Sequence, residues 1–288
     1  MLTILGISRS PQFSPNSVDR DAAIFAAVSS RLRRAGHEVY VITEDLYITV
    51  DLSEFDLVFS MARSTFVLEA LEEAARSGKV CVVNNPTALL QGNRLHLMQA
   101  FQEAGLPQPA FARLLLNQDV DFLPLPPPIT YPVWLKRADA CAQSAADVQY
   151  APNEQAVREV VGKLSAQGVA EVLAVSHVPG DLIKFYGVQG TDFFHYSYPT
   201  EGDNFSKFGL EAHNGSPSHY AVSVEALKSL ADCAAEVSGF TIYGGDAIVS
   251  VDGRIWLIDF NDWPSFSSCR RQAATAIAAR LTACLQQA

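Results

Sequence analysis

The sequence has no long apolar run and no excess of basic residues. A helix needs about 20 consecutive apolar residues to cross a bilayer, and no stretch of the 288 residues approaches that length. Lys and Arg number 21 against 31 Asp and Glu, a formal net charge of −10. Because such an acidic chain is unsuited to broad binding of a phosphate backbone, we expect neither a nucleic acid nor a membrane as partner.

Cysteine pairs are absent as well. The five cysteines are far apart and form no CxxC pair, which argues against a zinc ribbon and a disulfide framework. The apolar stretch 2–7 is too short for the core of a signal peptide and has no basic segment before it. We therefore expect a cytoplasmic protein with reduced cysteines.

Several catalytic motifs are also missing. The six histidines show no HxxxH or HExxH spacing, and neither GxSxG nor GxxxxGK[ST] occurs. This excludes a histidine-based zinc protease motif, the nucleophile elbow of the α/β-hydrolases and the P-loop.

Hydrophobic patterning predicts an α/β protein with several lobes. Strand patterns at 2–7, 38–43, 57–60 and 80–83 alternate with helix patterns, which is typical of a parallel sheet. Apolar residues at Ile24, Val28 and Leu32 have helical spacing, and Gly36 would end that helix. A chain of 288 residues exceeds the usual size of one domain, about 100–150 residues.

The rest of the chain predicts mixed α+β structure. Helices are expected at 93–103, 153–165, 224–238 and from about 269, with strands at 133–136, 171–177, 183–188, 243–251 and 255–260. Asp252-Gly253 between the last two strands is a strong hairpin signal. We therefore predict an N-terminal βα lobe (1–90), a linking helix (91–112) and two α+β lobes (113–178 and 179–288).

The predicted hairpin carries the most informative polar residues. Asp246 lies near the start of one strand, and Asp259 and Asn261 lie near the end of the returning strand. Asp259 and Asn261 point to one face because they are two residues apart, and antiparallel pairing can bring Asp246 beside them. Two adjacent carboxylates favour Mg²⁺, which takes its other ligands from water and phosphate. A solvated polar hairpin end is the alternative.

The hairpin from Gly244 to Asn261 resembles the metal-binding hairpin of the ATP-grasp superfamily. Asp259 follows Asp246 by thirteen residues and Asn261 follows Asp259 by two, as in that superfamily. Upstream segments are also similar: 93–107 resembles its phosphate-binding helix, 132–136 its strand with an α-phosphate lysine, and 175–184 its adenine-binding hinge. The resemblance implies an N-terminal parallel βα lobe and two α+β lobes that grip ATP.

The resemblance also implies roles for individual residues. The metal ligands would be Asp246, Asp259 and Asn261. The residues that neutralise the transferring phosphoryl group would be Lys184, Arg94 and Lys207. The residues that bind the nucleotide would be Lys136, Gln143, Ser144, Ser176, His177, Val178, Asp181 and Lys184.

Lys136 has independent support, because an ammonium at the end of an apolar strand needs an anionic partner if it is buried. A lysine that reaches solvent at the strand end is the alternative. The loop 138–146 departs from the superfamily pattern, since it lacks glycines and offers Gln143 and Ser144. The ribose-binding acid of the superfamily would fall at Leu182, beside Asp181.

The resemblance implies an ATP-dependent ligase similar to the D-alanyl-D-alanine ligases or the ligases that modify ribosomal proteins. Such an enzyme needs ATP and Mg²⁺, with Mn²⁺ as an alternative, and acts on a small molecule or a peptide terminus. A kinase of the inositol-phosphate-kinase branch and a non-catalytic ATP-binding protein remain alternatives. The few basic residues of the last third favour the ligase. A monomer and a homodimer both remain open.

Overall fold

Three four-stranded sheets form the framework of the protein. The computed structural model describes residues 1–78, 80–116, 124–138, 147–199, 201 and 213–284. The expectations for Gln143, Ser144 and Lys207 lie outside these residues. Within the described ranges, no helix has both the length and the apolar content that a membrane span requires.

The first sheet is parallel, as the alternating pattern predicted. Its strands are β1 (Thr3–Ser8), β2 (Glu38–Thr43), β3 (Leu57–Ser60) and β4 (Cys81–Val83), in the order β2-β1-β3-β4. The helices α1 (Val18–Arg34), α2 (Thr65–Arg76), α3 (Pro86–Gln91) and α4 (Arg94–Glu103) follow in chain order. The predicted end of α1 is confirmed, because Gly36 takes a left-handed φ of 88° directly after it.

The second sheet is antiparallel and contains the predicted lysine strand. Its strands are β5 (Phe111–Leu115), β6 (Val133–Arg137), β7 (Val148–Ala151) and β8 (Glu171–Ser176), in the order β5-β8-β6-β7, and its helix is α5 (Glu154–Ala166). Sequence patterning missed β5 and β7. Strand β5 has five residues and β7 has four, so each shows too few alternations of apolar and polar residues to be recognised.

The third sheet holds the predicted hairpin. Its strands are β9 (Asp181–Val188), β10 (Phe194–Ser197), β11 (Ile242–Val249) and β12 (Ile255–Asp262), in the order β10-β9-β11-β12, with the helices α6 (Val224–Ser238) and α7 (Arg270–Cys284). All neighbouring strands are antiparallel. The mixed α/β class is therefore confirmed, with one parallel sheet and two antiparallel ones. The sequence patterning did not predict β10.

The first and third sheets share an apolar core. Helix α7 packs against α1, and Ile277 of α7 is fully buried in the same cluster as Phe59 of β3. The rings of Phe59 and Trp263 stack with centroids 5.9 Å apart. Phe59 lies in β3 of the first sheet, and Trp263 directly follows β12 of the third. This burial of apolar surface holds the two parts of the chain together.

One buried asparagine ties the end of the first sheet to the third. Asn84 follows β4 and is fully buried. Its Nδ2 donates to the carbonyl of Ile242 over 3.0 Å, and its Oδ1 accepts from the amide of Ile242 over 2.8 Å. Asn84 therefore acts as one extra pairing position beside β11, the strand that carries Asp246.

Replacing this side chain should destabilise the protein. In Asn84→Ala both backbone groups of Ile242 lose a buried partner, which should lower the free energy of unfolding by about 3 kcal/mol. Urea unfolding followed by fluorescence measures the loss. The matched control is Asn153→Ala, which removes an exposed helix cap that accepts from Ala156 and should cost about 1 kcal/mol. Equal losses in the two variants would contradict this account of Asn84.

Candidate functional site

A cavity of about 350 Å³ lies where the three sheets meet. Its wall is formed by residues of the second and third sheets and by residues that follow β1 and β3 of the first, so it depends on the packing of all three. The residues expected from the sequence that line it are Arg94, Lys136, Ser176, His177, Val178, Lys184, Asp246, Asp259 and Asn261. This volume is within the range typical of small-molecule sites.

The third sheet places one cation and two carboxylates in a single row. Lys184 on β9 is the register partner of Asp246 on β11, and Asp246 is the register partner of Asp259 on β12. Side chains of directly paired residues project to the same face of a sheet, so all three project together. The Nζ of Lys184 lies 3.3 Å from Oδ1 of Asp246. Asn261 lies two residues beyond Asp259 on the same face.

Glycines make the close approach of these strands possible. A Cβ at Gly245 would stand 2.4 Å from the carbonyl oxygen of Asp259, which is far inside van der Waals contact. A Cβ at Gly244 would stand 2.8 Å from the ring of Pro264. The Gly244-Gly245 pair therefore lets β12 and its following turn lie directly against β11.

Two further cations reach the row from outside the third sheet. Lys136 of β6 is 8 % exposed, and its Nζ donates to the carbonyl of Ile258 over 2.9 Å. The register of β11 and β12 shifts between Asp246 and Ala247, which leaves Ile258 as the extra residue of a bulge. The bulge therefore supplies the carbonyl that holds the buried ammonium beside Asp259.

Arg94, the first residue of α4, adds a further positive charge near Asp259. Its guanidinium is buried, and Nη1 donates to the carbonyl of Arg137, the last residue of β6, over 2.8 Å. The amide of Leu95 donates to Ala138 just beyond. Arg94 thus joins α4 to the strand that carries Lys136.

The charges of the site act on one another. Burial alone would raise the pKa of Asp259, but Arg94, Lys136 and Lys184, with a hydrogen bond from Asn261, bring that pKa below its ordinary value. Burial lowers the pKa of Lys136, which Asp259 and Asp246 partly restore. Asp259 is therefore held ionised, and an additional anion beside the buried Lys136 would raise the pKa of that lysine.

Trp134 and His177 line the end of the cavity near β6 and β8, and the rings of Tyr150 and His213 pack against them. Trp134 donates from Nε1 to Nδ1 of His177 over 3.2 Å, and burial together with His213 lowers the pKa of His177, so its imidazole is neutral. Tyr150 stacks on His213 with centroids 4.9 Å apart. Flat apolar faces of this kind suit a stacked heterocyclic base.

In the predicted adenine-binding hinge, two backbone amides are already paired within the protein. The amides of Ser176 and His177 donate to the carbonyls of Ala110 and Pro132, both over 2.9 Å. The side chain of Ser176 accepts from the amide of Thr130 over 3.0 Å. A nucleotide at these residues would have to use their carbonyls or the backbone of Val178.

Asp181 lies elsewhere, contrary to the expectation that it contacts a nucleotide. It is 3 % exposed, does not line the cavity, and accepts from the amides of Ser218 and Tyr220 over 2.6 and 2.7 Å. Neighbouring residues of a strand face opposite sides, so Leu182 reaches the cavity and Asp181 does not. Asp181 instead anchors the chain that returns after residue 213.

The opposite end of the cavity contains two arginines that are not among the site residues predicted above. Arg9 follows β1 and Arg63 follows β3, at the carboxyl ends of parallel strands, where ligands of α/β sheets often bind. Arg9 pairs with Asp21 over 3.1 Å. Both nitrogens of the Arg63 fork bond the two oxygens of Asp262, the residue after Asn261.

The donor set fits a magnesium ion that also uses ligand phosphates. Across the described residues, no three His, Cys, Asp or Glu side chains gather into a complete metal site. Asp246, Asp259 and Asn261 instead offer two carboxylates and an amide oxygen. Mg²⁺ favours such oxygens and usually keeps several positions for water and phosphate.

Comparison with known proteins identifies the fold. No protein-family model matches the sequence, and no curated protein matches it. Among solved structures, a D-alanine–D-alanine ligase from Bacillus anthracis complexed with ATP is 11 % identical, with a TM-score of 0.67 over 100 % of this chain and 99 % of its own. A RimK domain protein ATP-grasp from Sphaerobacter thermophilus is 16 % identical, with a TM-score of 0.66 over 97 % of this chain and 99 % of its own. The chain therefore shares the ATP-grasp fold.

The charge arrangement predicts a pH-dependent effect of Asp259→Asn. Folding lowers the pKa of Asp259, so its ionised form stabilises the protein at pH values above the ordinary carboxyl pKa of about 4. That stabilisation is lost as the pH falls through the pKa of the folded state. The variant should therefore melt a few degrees, about 2–4 °C, below the parent at pH 7, with a smaller difference at pH 3.

Thermal melts across this pH range measure the effect. The control is Asp252→Asn, an exposed acid in the hairpin turn, which should follow the parent at every pH. A Tm difference for Asp259→Asn that grows as the pH falls would contradict the assigned sign.

Proposed function

We propose that this protein, which has the ATP-grasp fold, is an ATP- and magnesium-dependent ligase that activates a small carboxylate as an acylphosphate and joins it to an amine. The observation that carries the proposal is the row of Lys184, Asp246 and Asp259 with Lys136 and Arg94 beside it. Acidic side chains suited to a metal ion and cations suited to phosphates line the same cavity.

The proposed arrangement assigns each end of the cavity to one part of the reaction. The base of ATP would stack near Trp134 and Tyr150, and its phosphates would point toward Lys136 and Lys184. Asp246, Asp259 and Asn261 would hold Mg²⁺, which neutralises phosphate charge when it is bound. Lys184 would exchange its contact with Asp246 for a phosphate oxygen as the metal takes up the carboxylate.

The chemistry needs no nucleophile from the protein. A carboxylate oxygen of the substrate attacks the γ-phosphorus, the bond to the β–γ bridging oxygen breaks, and ADP leaves. An amine then attacks the carbonyl of the acylphosphate, phosphate leaves, and the amine gives up a proton. Lys136, Lys184 and Arg94 stabilise the charge that spreads over the transferring phosphoryl oxygens, which is the main source of catalysis in such transfers.

The end of the cavity near the first sheet suits the substrate that receives the phosphoryl group. Arg63 and Arg9 line this end, and each guanidinium is already paired with a carboxylate. Two cations balanced by two anions favour a small substrate of low net charge, such as an amino acid or the end of a peptide. The segment 261–265 connects this end directly to the metal-binding residues.

The same balance favours a ligase over a kinase for phosphorylated sugars or inositols. Each phosphate group carries about 1.5–2 negative charges at pH 7, so a polyphosphorylated acceptor needs several uncompensated cations. Arg9 and Arg63 both lie against acids, and Lys136 and Lys184 are committed to ATP in this proposal.

Binding of ATP is the first test of this proposal. A ligand that binds only the folded state stabilises it by about 2.7 kcal/mol at a hundredfold excess over its Kd, so saturating Mg·ATP should raise the Tm by several degrees, about 5 °C or more. Lys136→Met should lose most of this shift because a phosphate would lose its buried cation. Asp252→Asn, remote from the cavity, should keep it. Identical melting of the parent with and without Mg·ATP, and no heat of binding in calorimetry, would overturn the proposal.

The fate of the γ-phosphoryl group tests the reaction. With Mg·ATP, hydroxylamine and a panel of amino acids and dipeptides, we expect a hydroxamate to form, because hydroxylamine traps an acylphosphate. Asp259→Asn should reduce its formation at least about 100-fold, since the metal would lose an anionic ligand. Label from γ-³²P-ATP recovered in an acid-stable ester would instead identify a kinase. ATP binding without turnover of any substrate would favour the non-catalytic alternative.

A further inference from the structure

Two cysteines that are distant in sequence meet on the side of the core away from the cavity. Cys81 is the first residue of β4, and Cys284 is the last residue of α7. Both thiols are half-buried and pack against the apolar cluster that the first sheet shares with α7. Neither residue has a part in the proposed ligase reaction.

Direct contacts connect the two sulfurs and a neighbouring arginine. The Cys81 thiol donates a hydrogen bond to the sulfur of Cys284. The Nη1 of Arg280 lies 3.0 Å from the same sulfur. The Nε of Arg280 donates to the carbonyl of Gln189 over 3.0 Å, so the turn after β9 holds the guanidinium in place. Cys284 therefore receives two donors on one sulfur, which is an environment that favours a thiolate.

The two thiols have different chemical character. The hydrogen bond from Cys81, helped by the charge of Arg280, lowers the pKa of Cys284 below its ordinary value despite partial burial. The shared hydrogen bond and burial raise the pKa of Cys81. Cys269 lies 3 % exposed in the same cluster, and burial raises its pKa to about 12. Of these three cysteines, only Cys284 has a lowered pKa, and the thiol in contact with it is that of Cys81.

From this geometry we propose that Cys81 and Cys284 form a dithiol site that hydrogen peroxide oxidises to an intramolecular disulfide. The site combines an activated thiolate, a second thiol in contact with it, and a positioned guanidinium. It does not depend on the proposed ligase function.

The oxidation is balanced in two steps. The Cys284 thiolate attacks one oxygen of peroxide, the O–O bond breaks, and a sulfenic acid and hydroxide form. The sulfur of Cys81 then attacks the sulfenic sulfur, the S–O bond breaks, and the departing hydroxide takes the proton of Cys81 to form water. The hydroxide from the first step takes up the proton that Cys284 released when it ionised. Counted from two thiols, one peroxide accepts two electrons, and the products are one disulfide and two waters.

The disulfide would connect parts of the chain that already pack together. Strand β4 leads directly to Asn84, which holds Ile242 of β11, and α7 packs on α1. A bond between β4 and α7 therefore closes a loop that contains most of the chain. Because such a link restricts the unfolded chain strongly, the oxidised protein should melt at a higher temperature than the reduced one.

The test uses the full chain, reduced, desalted and treated with one equivalent of hydrogen peroxide. Peptide mapping without reductant should find Cys81 linked to Cys284, and dithiothreitol should release the link. The oxidised protein should show a Tm at least about 4 °C higher. Cys81→Ser should stop at a sulfenic acid on Cys284 that dimedone captures, whereas Cys284→Ser should form no link.

Exposed Cys233 of α6 provides an internal control for simple accessibility. If dimedone labels Cys233 before Cys284 in peroxide-treated Cys81→Ser, or if no linked peptide forms in the parent, the proposal is wrong. Alkylation of the unmodified parent makes the test independent of how the variants fold. Iodoacetamide at pH 7 should modify Cys284 at least about tenfold faster than Cys269. Equal rates at these two cysteines would also overturn the proposal.

Discussion

Asp246 and Asp259 stand directly opposite each other on paired strands, and two carboxylates this close can both remain ionised only among compensating positive charges. The protein supplies that charge from three separate elements. Lys184 comes from the adjacent strand, Lys136 from a different sheet, and Arg94 from the start of a helix. The packing of the second sheet and of α4 against the third sheet brings these charged groups together.

Each cation is placed by an ordinary structural device. The β9–β11 register sets Lys184, the β12 bulge offers a carbonyl to Lys136, and Arg94 bonds the carbonyl that ends β6. Burial of Lys136 is unfavourable by itself, because it removes an ammonium from water. A phosphate ligand would relieve that cost. The same features that make the site costly without a ligand therefore suit a phosphate-bearing ligand, as the proposed function requires.

The sequence alone was sufficient to predict the convergence of residues that lie close together along the chain. Asp246, Asp259 and Asn261 lie on one hairpin, so strand alternation and the Asp-Gly turn predict their convergence. Contacts that depend on how the sheets pack could not be predicted in this way. The pair of Arg63 and Asp262 joins residues 199 positions apart, which the packing of the first sheet against the third brings together. Asp181 shows that such prediction has a limit even within one strand. Neighbouring residues face opposite sides of a sheet, so an error of one residue in the assigned position places the side chain on the wrong face.

A crystal structure with Mn²⁺ and a non-hydrolysable ATP analogue tests the central claim most directly. Anomalous scattering would locate the metal without reference to any assumed chemistry. The account predicts one or two Mn²⁺ ions bound by oxygens of Asp246, Asp259 and Asn261, with the phosphates facing Lys136 and Lys184. A nucleotide bound outside this cavity, or a metal bound without Asp246 and Asp259, would contradict it.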